Sequence, residues 1–220
     1  MGLRMVDAIE ITTKNKAHIL EKLLGHISKK GYGLVYTQFR VESENTAFLY
    51  VELENVVDID CLISELRGFS GVREVVKFFP TDEIWGKRVI IIGTGIQVSQ
   101  VVLGAITEAD RHNIRGERIS VDTLPLTGEK NIIEALEAIG YLPRVSCIVL
   151  AESEIEDSII GVIDEIKNNY NIKIVGLNGN DSLINHLDLV VTDPLQAGVM
   201  AVMAISETSN LDISRIKEVL

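Results

Sequence analysis

Cysteine is nearly absent from this chain of 220 residues: Cys61 and Cys147 are its two thiols, far apart and without metal-ligand spacing. That excludes a disulfide framework and a zinc cluster, and both read as buried small hydrophobes of a reducing, intracellular protein. Aromatic residues make up 5% and form no basic-aromatic stripe on which bases would stack. Positive charge is also short, with 21 Lys and Arg against 32 Asp and Glu and a formal net charge of -11. The deficit holds in both parts, 10 basic against 13 acidic residues in 1–86 and 11 against 19 beyond. Long-range repulsion of that sign disfavours nucleic acid and anionic lipid as partners. Met1 to Met5 lead straight into alternating residues, with neither a signal-peptide core nor a membrane span, so we expect a soluble, cytoplasmic protein. His-Glu-x-x-His, Cys-x-x-Cys, Gly-x-Ser-x-Gly and Gly-Lys-Ser/Thr are all missing.

What is present falls into two grammars. Residues 6–13 alternate with the two-residue period of a half-buried strand, and Thr13 to Asn15 offer cap-like side chains. Ile19, Leu20, Leu23, Leu24 and Ile27 then recur at helical spacing until Gly31 and Gly33. Alternation returns at 34–42 and 46–54 around a short turn, so this pair reads as a hairpin. A helix at 58–68 presents Ile59, Leu62, Ile63 and Leu66, and a last strand runs from Val72 to Phe79. The order βαββαβ predicts four antiparallel strands with both helices on one face, a ferredoxin-like domain over 1–83.

With Asn15-Lys16-Ala17-His18-Ile19-Leu20 at its first strand-helix junction, this segment resembles the ACT domain, a small regulatory module that commonly binds amino acids. The resemblance implies a ligand site at Asn15, Lys16 and His18. His18 stands where the family pattern has Gly, which lets a carboxylate approach backbone amides, so a side chain there narrows the approach. His26 lies two turns further, about 12 Å along the axis, too far to share one metal with His18.

Pro80 to Gly86 read as a linker, and from Val89 the pattern becomes one of continuous apolar strands alternating with helices. Strands are expected at 88–92, 118–122, 145–150, 172–176 and 187–191, with helices near 96–111, 130–139, 154–168 and 194–206. That predicts a Rossmann-like, three-layer α/β domain over 84–220 with a mainly parallel sheet whose strand order stays open. More broadly, the ACT-like start followed by Ile90-Ile-Ile-Gly-Thr-Gly and Arg115-Gly-Glu-Arg-Ile-Ser-Val-Asp122 resembles an uncharacterised archaeal family of this two-domain build.

Gly93-Thr94-Gly95 brings backbone amides to a helix N-terminus, where a phosphate or carboxylate is favoured. Val98 replaces the third small residue of a dinucleotide fingerprint, so no cofactor is assigned. The junction is similar to those of phosphosugar-binding isomerase domains through Ser99. Ligand-edge candidates are Gly93, Thr94, Gly95, Ser99, Asp122, Thr123, Asn178, Asp193 and Gln196. Asp193 before Pro194 also reads as a helix N-cap. Arg111, Arg115 and Arg118 cluster on the turn after the helix, at the opposite end of the sheet. They would either pair with Glu108, Asp110 and Glu117 or face a partner subunit.

These residues point to a homo-oligomeric regulatory or sensor protein that binds an amino acid or small anionic metabolite. Two alternatives remain. One is an enzyme acting on a phosphorylated sugar or related acid, with Asp122 and Asp193 as its polar groups; the other is a structural interaction subunit. No metal is assigned.

Overall fold

A computed structural model describes residues 6–151, 157–178, 181–209 and 211–213, and the chain divides into two units, Met1–Ile84 and Trp85–Leu220. In the first, β1 (Val6–Thr13), α1 (Ile19–Lys29), β2 (Gly33–Ser43), β3 (Thr46–Glu54), α2 (Ile59–Arg67) and β4 (Val72–Phe78) follow in order. The strands form an antiparallel sheet of order β2-β3-β1-β4. Alternation decides which residues go inside. Ile9, Ile11, Leu49, Val51, Leu53 and Val75 meet Leu23 and Ile27 of α1 and Leu62 and Leu66 of α2 in one core. Each such side chain contributes about 1.5–3 kcal/mol on burial.

Three local expectations need correction here. The cap of α1 is not in the 13–15 segment but at His18, which adopts the left-handed conformation (φ 63°) and makes no side-chain cap bond. Cys61 is exposed rather than buried, because Leu62, Ile63 and Leu66 carry the inward stripe of α2 and Cys61 falls off it. The linker also holds a short helix, α3 (Thr81–Trp85). Its start is tied to β3, since Glu52 is buried and accepts bonds from the Thr81 amide (2.6 Å) and the Tyr50 hydroxyl (2.7 Å). Burial, followed by that carboxylate, raises the Tyr50 pKa above its ordinary value.

The second unit contains β5 (Lys87–Gly93), α4 (Gly95–Ile114), β6 (Ile119–Pro125), α5 (Glu129–Ile139) and β7 (Val145–Ala151). After a 3₁₀ turn at Asp157–Ile159 come α6 (Ile160–Tyr170), β8 (Lys173–Leu177), α7 (Asp181–Ile184), β9 (Leu189–Val191) and α8 (Pro194–Ile205). The expected helix start at 154–156 lies outside the described residues. All five strands are parallel, in the order β6-β5-β7-β8-β9. Val89 and Ile91 face α4 and α8, while Ile90 and Ile92 face α5 and α6, so the central strands are buried on both sides. Helices α4 and α8 approach backbone to backbone. A Cβ on Gly104 would meet the Leu195 carbonyl at 2.0 Å, and one on Gly198 would meet the Val101 carbonyl at 2.0 Å.

Candidate functional site

Numbered from its own first strand, the parallel sheet has the order 2-1-3-4-5. The helices that follow β5 and β7, α4 and α6, therefore pack on opposite faces, which makes the carboxyl ends of these two strands the switch point at which sheets of this order bind ligands. Gly93 and Gly95 sit there. Gly93 (φ 145°) lies so close to β7 that a Cβ would stand 2.6 Å from the Ala151 carbonyl. Gly95 (φ 75°) opens α4, and the space beside its Cα is free to 4 Å. Thr94 occupies the N-cap without a side-chain cap bond, and the first turn of this 20-residue helix holds no acidic residue. Its leading amides thus present partial positive charge with neither a capping side chain nor an acidic side chain of that turn against them. Ser99 is exposed one turn further along.

The other candidates are distributed differently. Asp122 was expected at a strand end in the crevice, but β6 continues to Pro125. Asp122 therefore lies mid-strand opposite Ile90 and binds the guanidinium of Arg88. Thr123 is exposed on the same edge strand. Asp193 caps α8, its Oδ1 accepting the Gln196 amide at 2.7 Å. Strands β6 and β9 are opposite edges of the sheet, four spacings apart or about 19 Å, so Asp122 and Asp193 do not converge as a catalytic pair. Asn178 (φ 56°) follows β8, two strands from β5, and its amide bonds the Val191 carbonyl.

The polar cluster at the amino end resolves into a network whose far half is invisible in sequence. Arg111 bonds Glu108 at 3.0 Å, whereas Arg115 and Arg118 are exposed. Glu117 accepts from the Ser206 hydroxyl (2.6 Å), the Thr208 hydroxyl (2.5 Å) and the amides of Glu207 and Thr208. Burial opposes its ionisation, but those donors outweigh it and hold the carboxyl at about 2. His112 is buried, with Nδ1 at 2.7 Å from the Ser206 hydroxyl. Its Nε2 lies 3.2 Å from Glu108 Oε1 but makes no hydrogen bond among the described residues.

In the first unit Asn15, Lys16 and His18 are all exposed, and His18 Nδ1 contacts Glu21 at 3.2 Å. His26 turns instead to Glu65 (2.7 Å), which also holds Lys30 (2.5 Å); Lys30 first, then His26, keep the Glu65 carboxyl at about 2. The Cys61 thiol hydrogen-bonds that carboxylate and is pushed up. A cleft of about 540 Å³ between α5 and α6 is lined by Glu134, Glu137, Glu165, Tyr141 and Tyr170, a setting that repels anions. Among the described residues no group of three His, Cys, Asp or Glu is placed to hold a metal, and no helix is long and apolar enough to cross a membrane.

Fold and site define a protein of two α/β-type modules, an antiparallel βαββαβ unit followed by a doubly wound unit with an uncapped helix at its switch point. The chain belongs to the uncharacterised family described as "Domain of unknown function (DUF5612)", which it matches over residues 78–219. Two archaeal relatives match it over nearly their whole length. An uncharacterized protein of Methanocaldococcus jannaschii is 46% identical over 214 residues, 97% of this chain and 98% of its own. One of Archaeoglobus fulgidus is 37% identical over 97% of this chain and 98% of its own. Among solved structures, the ACT domain from GTP pyrophosphokinase of Chlorobium tepidum aligns at 19% identity over 34% of this chain and 99% of that one, with a TM-score of 0.31.

Proposed function

We propose that this is a small-molecule-binding regulatory protein whose second unit holds a small anionic metabolite, phosphorylated or carboxylated, at Gly93-Thr94-Gly95. The observation that carries the reading is the coincidence of the sheet's switch point with the start of α4, a long helix bearing no side-chain cap and no first-turn acid. The first turn of α4 itself adds no carboxylate to a chain of net charge -11. The first unit is read as the regulatory module. Its edge strand β2 is 11 residues long and exposes Leu34, Val35 and Val41, a surface suited to pairing between copies.

Thermal unfolding of the full chain with inorganic phosphate, ribose 5-phosphate and a panel of amino acids tests the site. A ligand at a hundredfold excess over Kd raises Tm by roughly 5–10 °C. Gly95→Asp abolishes that rise, because it places a carboxylate over the amides, while Gly95→Ala, which adds only backbone strain, retains part of it. Equal shifts in wild type and Gly95→Asp overturn the reading.

A further inference from the structure

We propose that the outer face of α4 is a docking surface for a second copy of this chain. Helix α4 is apolar on two sides. Val101, Ala105 and Ala109 face the sheet, yet Ile96, Leu103 and Ile106 project outward with exposures of 76%, 57% and 45%. Leu195, 44% exposed, begins α8 beside this helix, its carbonyl drawn against Gly104. Positions 96, 99, 103 and 106 have the four-and-three spacing of a seam along one helix face, interrupted only by the small Ser99.

Charge identifies the occupant. Residues 95–107 and 194–206 contain no Asp, Glu, Lys or Arg, although 24% of the chain is charged. The opposite layer has an ordinary solvated helix, with Lys130, Glu134 and Glu137 on α5. A basic partner would be matched by carboxylates, and this face offers none. Two copies that each carry -11 need a contact from which like charges have been removed, and this is the charge-free face they need. Ile96, Leu103 and Ile106 would form the apolar centre of such a contact, and the uncharged polar residues around them, Gln97, Gln100 and Thr107, its rim.

The seam begins next to the proposed ligand turn, since Ile96 follows Gly95 and Ser99 lies one turn on, but its test reads mass alone and needs no ligand. The mass of the full chain is measured by sedimentation equilibrium for wild type, Leu103→Asp, Ser99→Arg and, as a contrast on β2, Val35→Asp. Leu103→Asp and Ser99→Arg should each halve the wild-type mass. Both replace exposed groups, so the fold persists, and circular dichroism confirms that in the same samples. Ser99→Arg removes no apolar atom and keeps the result readable if Leu103→Asp unfolds. A wild type that sediments as a single chain across the micromolar range overturns the proposal. So does retention of the wild-type mass in folded Ser99→Arg, or a loss of mass confined to Val35→Asp.

Discussion

The two ends of the parallel sheet are built on opposite plans. At the amino end, Glu117, His112, Ser206 and Thr208 form a closed polar network, and Asp188 holds Lys173 and the Ile174 amide, with Lys167 at 3.7 Å. At the carboxyl end the turn at β5 relies on glycines and bare amides. The contrast shows where the unit spends side chains on stability and where it leaves backbone open for a ligand, as expected for a sheet whose binding crevice lies beyond the carboxyl ends of its strands.

Removing the centre of the closed end should have the largest effect. Glu117→Ala leaves the Ser206 and Thr208 hydroxyls and the Glu207 and Thr208 amides without their acceptor beside the buried His112, and should cost about 3 kcal/mol, read as a Tm lowered by roughly 8 °C. A fall under 2 °C would mean that the network contributes little and that the contrast between the ends is one of appearance.

Acid should sharpen the same comparison. The Glu117 carboxyl sits at about 2 against a reference of 4.5, so on acidification the unfolded chain takes up its proton first. The stabilisation is complete above about pH 4.5 and disappears as the pH falls towards 2, up to about 3 kcal/mol in total. Urea titrations across that range should show a slope that Glu117→Gln flattens. An unchanged slope in the variant would remove the carboxylate from the account.

At the carboxyl end two helix caps give the smallest differences. Asp193→Ala loses the bond to the Gln196 amide and should cost about 1 kcal/mol, whereas Thr94→Ala loses no cap bond and should stay within about 0.5 kcal/mol. Equal costs, measured by chemical denaturation without ligand, would show that α4 is capped after all.

Much of the fold was legible because its signals are local. The run Val89 to Ile92 announced a strand buried on both faces, and Asp193-Pro194 marked the start of α8 to the residue. The stripe of Leu62, Ile63 and Leu66 already implied that Cys61 points away from the core. Asp122 was misplaced because Thr123 and Leu124 prolong a strand that seemed to end in polar residues, and only pairing with β5 reveals its length. The partners of Glu117 lie about 90 residues away, and the separation of Asp122 from Asp193 depends on strand order, which no local pattern encodes.

The crossing of α4 and α8 has an evolutionary consequence. Main-chain carbonyls fill the places where side chains would begin at Gly104 and Gly198, so neither position can accept even a methyl group without parting the helices. Elsewhere in this layer, compensating exchanges of size can accumulate as sequences diverge. These two sites admit none, and they should remain glycine in every descendant that keeps the fold.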